Sequence, residues 1–410
     1  GFIFVPAGTW YLNATITIPQ LVTFYGAGPT QTVINSSADP AFQIVGNNTE
    51  FTRIGGFWLF PVATTVGIAC YSSGVWFDSI NMNSKSVGIL ISGRDQSISS
   101  IYLERINIYN SLNSALKVDG SAHLVNDIYL NTFILNGTAD SNVDHLEGGI
   151  YLYGMVQAFT AAFGECIGGF FPMHLNSSSG GPSSPEFNKF TNIYFDSGYR
   201  GVWLEYSSDS LFTGCWFSNG RTLPDSGAVV DEAQGTSFTN CIFANCGEHG
   251  ALVSSNASNT KFVGCKFEGN SYTSGVGVAH GLAFGNNCTN FNVVGCSANN
   301  PSYFYGQQGY GIFIGSGSQY FSVTDNLVRG NYTGGILNGA SSNVVANIQG
   351  NVGTSVGTLA GYAVNDVLGS RAAGSTYTNN TGFPIFVEIS ANCLPTTFGE
   401  IGLQIVIGGV

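Results

Sequence analysis

Two acidic side chains recur at a fixed interval in the middle of the chain and could perform acid–base chemistry. The segments GVWLEY and GAVVDE align without gaps and place Asp231 26 residues after Glu205. If one interval is one layer of a repeating structure, both carboxyl groups leave the same face of neighbouring strands, about 4.8 Å apart. This is near the ~5 to 5.5 Å between the carboxylates of a retaining glycosidase, although splayed side chains would lengthen it. The pair is a candidate acid and base for glycosidic cleavage, and ordinary surface acids are the alternative.

Aromatic and cationic residues accompany this pair in the aligned pattern. Strands aligned on Leu204 and Val230 carry outward aromatic residues, and His174 and Asn176 are expected in the coil between Tyr151 and Trp203. Aromatic rings can cover the apolar faces of sugars, and arginines can neutralise acidic ones. The alternatives are rings beneath a loop or in a subunit interface, and arginines in structural ion pairs. The predicted substrate-binding residues are Tyr151, Tyr153, His174, Trp203, Arg200 and Arg221.

Three other groups are weaker candidates for chemistry. The loop at 136–149 contains Asp140, Asp144, His145 and Glu147, but their spacing matches no defined metal loop, so a solvated turn is favoured. Glu248 and His249 lie at a turn and are the second choice for an acid or base. Cys215, Cys241 and Cys265 alternate with apolar residues and indicate core packing rather than metal or redox chemistry. The sequence therefore predicts no metal site and no cofactor.

A repeat of about 25 residues positions these side chains. TGCWFSN at 213–219 returns as TNCIFAN at 239–245 and as VGCKFEG at 263–269. A second strand pattern follows each copy about ten residues later, which leaves no room for a crossover helix. Successive periods must then stack as parallel strands, with cysteines and phenylalanines inside and asparagines and glycines at corners. We predict an all-β, right-handed parallel β-helix of about eleven coils.

Composition agrees with such a repeat and excludes several classes of protein. The 410 residues include 56 glycines, 9% charged residues and 44% hydrophobic residues, which favours many turns around a sizeable core. A net charge of −12 without basic clusters argues against nucleic-acid binding. The apolar segment 155–173 contains Gln157, Glu165 and three glycines, so we predict buried strands rather than a membrane span. Nine cysteines suggest buried thiols more than disulfides and leave the redox compartment undecided.

The beginning of the chain resembles the opening of pectate-lyase-like β-helix proteins. Matching features are Pro6, Ala7, Gly8 and Thr9, then Gly26, Ala27 and Gly28, and later Thr32 and Ile34. That family is common among bacteriophage tailspikes and capsular depolymerases and also includes secreted polysaccharide lyases and hydrolases. VWFDSINM at 75–82 is similar to a pectate-lyase motif, but Ser79 replaces its histidine, and no polygalacturonase motif set is present. A tailspike is therefore favoured over a pectinase.

We predict two domains, a β-helix at 1–372 that begins with the first coils at 1–50, and an incomplete β-sandwich-like module at 373–410. The resemblance implies a virion or extracellular protein that binds, and is expected to cleave, a host capsule, exopolysaccharide or O-antigen. It also implies a homotrimer, for which outward Trp58, Trp76 and Trp216 could supply buried surface. The alternatives are a secreted polysaccharide lyase or hydrolase and a non-catalytic structural or adhesive rod. The glycan and the choice between hydrolysis and β-elimination stay open.

Overall fold

The computed structural model describes residues 1–46, 51–62, 66–84, 86–138, 148–177, 183–219, 225–254, 256–300, 307–340 and 345–353. These residues form a right-handed parallel β-helix of about 12 coils, without any helix in the described part. The predicted fold is confirmed, with about one coil more than expected. The proposed module at 373–410 lies outside the described residues.

The strands, in chain order, are β1 (Phe2–Val5), β2 (Gly8–Leu12), β3 (Ile16–Ile18), β4 (Thr23–Gly26), β5 (Thr32–Ser36), β6 (Phe42–Val45), β7 (Thr52–Pro61), β8 (Val66–Tyr71), β9 (Val75–Asn83), β10 (Val87–Ser92), β11 (Ile98–Ser111), β12 (Ser114–Gly137), β13 (Ile150–Gly168), β14 (Met173–Asn176), β15 (Lys189–Asp196), β16 (Val202–Glu205), β17 (Leu211–Thr213), β18 (Trp216–Phe217), β19 (Ala228–Asp231), β20 (Ser237–Thr239), β21 (Ile242–Ala244), β22 (Ala251–Val253), β23 (Lys261–Val263), β24 (Lys266–Glu268), β25 (Leu282–Phe284), β26 (Asn292–Val294), β27 (Ser297–Ala298), β28 (Tyr310–Ile314), β29 (Phe321–Thr324), β30 (Gly334–Asn338) and β31 (Ala346–Gln349).

Parallel pairing between successive coils divides these strands among three faces, which we name sheets A, B and C. Sheet A contains the pairs β15–β17, β17–β20 and β20–β23, and sheet B the pairs β15–β18, β18–β21 and β21–β24. Sheet C contains β12–β13, β13–β14, β14–β16, β16–β19 and β19–β22. Long strands such as β12 bend around corners and contribute to more than one sheet.

The corner between sheets A and B explains the small residue that precedes each cysteine of the repeat. Asn192, Gly214, Asn240 and Gly264 occupy equivalent positions with φ between 52° and 64°. This left-handed conformation favours glycine and asparagine. A Cβ on Gly214 would also lie 2.4 Å from Asn192 Oδ1. The sharp turn then directs the next side chain, such as Cys215, into the core.

Columns of phenylalanine fill the core between the sheets. Phe217 stacks on Phe243 with a centroid distance of 4.6 Å, and Phe243 stacks on Phe267 at 4.8 Å. A parallel column, Phe212 on Phe238, has a spacing of 4.9 Å. Neighbouring coils are about one strand spacing apart, so identical rings at identical positions can stack face to face.

The cysteines of the repeat belong to the same core. All eight cysteines in the described part of the chain are free and buried. Burial raises the pKa of Cys70 to about 12, and hydrogen bonding by Cys215, together with burial, raises the pKa of Cys241 to about 12. Thiols with such pKa values are poor nucleophiles near neutral pH.

Two histidines connect coils near the beginning of the sheet C strands. His249 Nδ1 accepts a hydrogen bond from the His280 backbone N–H (2.9 Å), and His280 Nδ1 accepts one from Tyr310 N–H (3.3 Å). Burial, assisted by the charge of His280, lowers the pKa of His249 to about 3, and burial lowers that of His280 to about 4. Both imidazoles are therefore neutral across the physiological pH range.

We expect Phe243→Ala to reduce the free energy of unfolding by about 3–5 kcal/mol, because it opens a cavity between two stacked rings. Urea denaturation would measure the loss. Tyr194→Ala removes a ring that is 56% exposed and is the matched control, with an expected change within ~0.5 kcal/mol. Equal losses in the two variants would contradict the importance of the column.

We also expect the free energy of unfolding to fall as the pH drops from about 6.5 toward 4. Unfolded histidines bind protons near pH 6.5, whereas His249 and His280 resist protonation until about 3 and 4. The slope is up to about 1.4 kcal/mol per pH unit for each histidine. His249→Asn and His280→Asn retain an acceptor at the Nδ1 position and should flatten this dependence, which denaturation at several pH values would measure. Exposed His123→Asn is the control, and a wild-type slope in both test variants would refute the assignment.

Candidate functional site

The predicted rows of outward side chains lie on the outer face of sheet C. Tyr151 pairs in register with His174, His174 with Trp203, and Trp203 with Val229. One strand position further along, Leu204 points inward and is fully buried. The structure thus has the register that the alignment predicted, including His174 in the coil between Tyr151 and Trp203.

The rings of this row stack on one another along the axis of the β-helix. His174 lies between Tyr151 and Trp203, with centroid distances of 5.2 and 5.4 Å and interplanar angles near 25°. Lys117 Nζ lies 4.9 Å from the Tyr151 centroid. Tyr151 and His174 retain exposures of only 7% and 5%. Both faces of the His174 ring are covered, so in this row a sugar could contact only Trp203 and the edges of the other rings. Tyr153, in the next row, is half-buried.

Several buried polar atoms of this row have no hydrogen-bond partner. They are Nδ1 and Nε2 of His174 and Nε1 of Trp203. His174 Nε2 lies 3.5 Å from Glu205 Oε2, which is longer than a well-formed hydrogen bond. Buried polar groups without partners are costly, and hydroxyl groups of a ligand could satisfy them.

The two predicted catalytic carboxylates are neighbours at the end of the sheet C strands. Glu205 is the in-register partner of Asp231. The Ser254 hydroxyl donates a hydrogen bond to Asp231 Oδ1, which fixes that carboxylate. The phenol group of Tyr206 follows Glu205 in the chain and lies near these acids. The charge of Glu232, followed by burial and the charges of Glu205 and Asp231, raises the pKa of Tyr206. The register places the two residues on adjacent strands, and their catalytic role stays a prediction.

A second group of charges, at the beginning of the same strands, was missed in part by sequence reasoning. Arg200 Nε lies 2.8 Å from Asp225 Oδ2, and the Arg200 guanidinium lies 5.0 Å from the Trp203 ring centroid. The Glu248 backbone N–H donates to the Asp225 carbonyl (2.9 Å), so these two acids occupy equivalent positions on adjacent coils. Extending the alignment of GAVVDE and GALVSS two residues upstream would have paired Asp225 with Glu248.

Both acids of this second group have perturbed titration. Burial raises the pKa of Asp225, although the Ser226 N–H and Arg200 oppose the rise. Burial also raises the pKa of Glu248, the charge of Asp225 raises it further, and Arg200 opposes the rise. Carboxyl groups whose pKa values are raised by burial are candidates for general acids.

Other candidates from the sequence have structural roles or lie outside the described residues. Asp78, in the segment similar to a pectate-lyase motif, is 1% exposed and pairs with both Arg53 and Arg105. Ser79 donates a hydrogen bond to the same carboxylate (2.9 Å). This segment therefore joins neighbouring coils through the ion pairs of Asp78. Arg221 and the loop residues Asp140, Asp144, His145 and Glu147 lie outside the described residues. Among the described residues, no group of three or more His, Cys, Asp or Glu side chains is arranged to hold a metal ion.

Comparison with known proteins identifies the same architecture. A family model described as "Right handed beta helix region" matches residues 174–306. No curated protein matches the chain in sequence. In the part of the chain that the structure describes, no helix could cross a membrane.

Solved structures that resemble this chain include two bacteriophage proteins. Tailspike protein 3 of bacteriophage CBA120 is 13% identical, with a TM-score of 0.56 over 86% of this chain and 56% of that one. The pre-mature gene product 12 of bacteriophage phi29 is 14% identical, with a TM-score of 0.60 over 88% and 54%. The chain thus spans about half the length of each phage protein.

A third similar structure is an enzyme module of comparable length. The A-module of the mannuronan C-5 epimerase AlgE4 from Azotobacter vinelandii is 13% identical, with a TM-score of 0.50 over 87% of this chain and 91% of the module. At these identities the likeness concerns the fold alone. This chain is a right-handed parallel β-helix whose solved structural neighbours include phage tailspike proteins.

Proposed function

We propose that this protein is a virion-borne, tailspike-like component that binds and cleaves a host surface polysaccharide. The substrate class is a capsule, an exopolysaccharide or an O-antigen, and the site is the outer face of sheet C around Trp203. Glu205 and Asp231 act as acid–base groups, and Tyr153, Trp203 and Arg200 contact the sugars. His174, which stacks on Tyr151, orients Trp203 by stacking and Glu205 by contact with its carboxylate.

One observation carries this proposal. The buried ring nitrogens of His174 and Trp203 make no hydrogen bond within the described part of the chain, and His174 Nε2 lies 3.5 Å from Glu205, the in-register partner of Asp231. A sugar offers an apolar ring face together with hydroxyl groups that accept and donate hydrogen bonds, which suits such a mixed surface. Glycosidic cleavage in addition needs an acid and a base on the two sides of the bridging oxygen.

The comparisons support the class of ligand and the location. Two neighbours are phage proteins, one named a tailspike, and a third is named a mannuronan epimerase. These names favour a protein that acts on polysaccharides outside a cell or on a virion. An upstream particle-attachment domain would favour the tailspike, whereas an upstream signal peptide would favour a secreted enzyme.

We expect Glu205→Gln and Asp231→Asn each to reduce turnover by a factor of about 100 or more, because each removes an acid–base group without changing side-chain size. Release of reducing ends from purified capsule, exopolysaccharide and O-antigen would measure turnover. Mass spectra of the products would show an unsaturated sugar after β-elimination and none after hydrolysis.

Glu165→Gln, on sheet B, is the matched control and should retain wild-type turnover. Both test variants should unfold at the wild-type temperature, since the carboxylates point outward. Wild-type turnover in both test variants would show that the catalytic site lies elsewhere. Binding of a glycan by the wild type without any cleavage would indicate an adhesive rod instead.

We further propose that the protein is a homotrimer. Of the tryptophans considered from the sequence, Trp76 is 41% exposed on sheet A, and Phe51 and Tyr129 nearby are 55% and 40% exposed. Contiguous exposed aromatic residues favour burial against another surface. Light scattering of the complete chain should give about three times 43.2 kDa, and a monomeric mass would contradict the assembly.

A further inference from the structure

The outer face of sheet C carries more negative than positive charge around Trp203. Sheet C here comprises the segments 114–120 of β12 and 150–154 of β13, together with β14, β16, β19 and β22. In the described part of the chain, the Asp and Glu side chains on these segments or within three residues of them are Asp119, Glu205, Asp225, Asp231, Glu232 and Glu248. The corresponding Lys and Arg side chains are Lys117 and Arg200. Acidic groups therefore outnumber cations on this face.

An apolar strip crosses the middle of the same face. It consists of the half-buried outward residues Trp203 on β16, Val229 on β19 and Leu252 on β22, which are in register. Glu205 and Asp231 lie two positions beyond Trp203 and Val229 on their strands. A ligand that covers the strip therefore comes close to these carboxylates.

Both cations of this face already have a partner. Arg200 Nε lies 2.8 Å from Asp225 Oδ2, so the charge of this guanidinium is balanced. Lys117 Nζ lies 4.9 Å from the ring centroid of Tyr151. The strand of Lys117 is three strand spacings from that of Trp203, about 14 Å, which exceeds the Debye length of about 10 Å at 0.1 M salt. Neither cation thus offers an unbalanced positive charge to a ligand on the strip.

Three carboxylates at the end of the strands have no such balance. Glu205 and Asp231 are in register, and Glu232 follows Asp231. Within the described part of the chain, none of the three forms an ion pair with a lysine or an arginine. The charge of Glu232, followed by burial and by the charges of Glu205 and Asp231, raises the pKa of Tyr206. A phenol keeps its proton to higher pH where negative charges surround it, so the potential here is negative.

Hydrogen-bonding groups at the strip suit the hydroxyl groups of a sugar. An ionised carboxylate such as that of Glu205 only accepts hydrogen bonds, so its ligand must donate them. Hydroxyl groups donate, whereas ionised carboxylate, phosphate and sulfate groups do not. Trp203 Nε1 and both ring nitrogens of His174, which is 5% exposed, make no hydrogen bond within the described part of the chain. These buried groups indicate a polar, uncharged ligand and not merely a cluster of acids.

We infer that the polysaccharide bound on sheet C is built of uncharged sugars, and that this face excludes glycans with carboxylate, phosphate or sulfate groups. The inference rests on the function proposed above and names the charge class of its substrate. A negative group on the strip would lie beside unbalanced carboxylates of the same sign, which selects against that ligand. The formal net charge of −12 adds a repulsion of the same sign at longer range.

The test uses the full chain and whichever of the purified capsule, exopolysaccharide and O-antigen the wild type binds. Sugar analysis of that polymer should show no acidic groups. Partial oxidation of its primary hydroxyl groups to carboxylates gives a matched anionic probe. Calorimetry in about 20 mM NaCl with EDTA, which removes bridging cations, should show at least about tenfold weaker binding of this probe. The difference should shrink in about 500 mM NaCl, because salt screens the repulsion.

A charge-removing variant separates repulsion from a steric effect of oxidation. Glu232 is exposed, and Glu232→Gln removes its charge without changing side-chain size. This variant should bind the oxidised probe at least about threefold more tightly than the wild type does, and the parent polymer within about twofold of the wild type. Glu165→Gln on sheet B makes the same change in net charge and is the matched control, with both affinities unchanged.

The outcomes distinguish this inference from the proposed function. A wild type that binds none of the three polysaccharides overturns both. Binding of an acidic polysaccharide that weakens as salt rises overturns the inference alone, because it shows attraction. Equal affinities of the wild type for the parent polymer and the oxidised probe also overturn it. A loss on oxidation that neither salt nor Glu232→Gln relieves would show steric exclusion and would contradict selection by charge.

Discussion

The in-register parallel pairing of successive coils determines where every inward and outward side chain of this β-helix lies. Every backbone N–H and carbonyl of a strand that points along the axis must find its partner one coil away, so an inward residue lies above another inward residue. A shift by one position would expose a whole column of the core. The pairing of Trp216 with Ile242 and of Phe217 with Phe243 shows this alignment in consecutive coils.

The same constraint creates rows of outward side chains and hence the site. Tyr151, His174 and Trp203 stack because their coils are one strand spacing apart, and the stack turns ring edges outward. Charges then gather where strands begin and end, since turns tolerate polar residues better than the interior of a sheet does. Arg200 and Asp225 lie at the beginning of the strands and Asp231 at the end, on either side of the outward residues Trp203 and Val229.

A scaffold of this kind supports several chemistries without changing its core. The β-helix buries columns such as Phe212 and Phe238 inside, while outward positions are free to vary from coil to coil. The similar solved structures include phage proteins and a mannuronan epimerase, which differ in their printed names but share this fold. Function therefore has to be argued from the outward rows and their electrostatics, not from the fold.

The period, the inward columns and the register of the outward rows could be predicted from the amino-acid pattern. Gapless alignment was enough to pair Glu205 with Asp231 and to place Cys241 in the core, because a repeat of constant length leaves one consistent stacking. The burial and the partners of the outward side chains became visible only in the three-dimensional structure. Two examples are the rings that cover both faces of His174 and the ion pair of Arg200 with Asp225. Both depend on the directions of side chains on adjacent coils. A one-dimensional period carries no information about those directions.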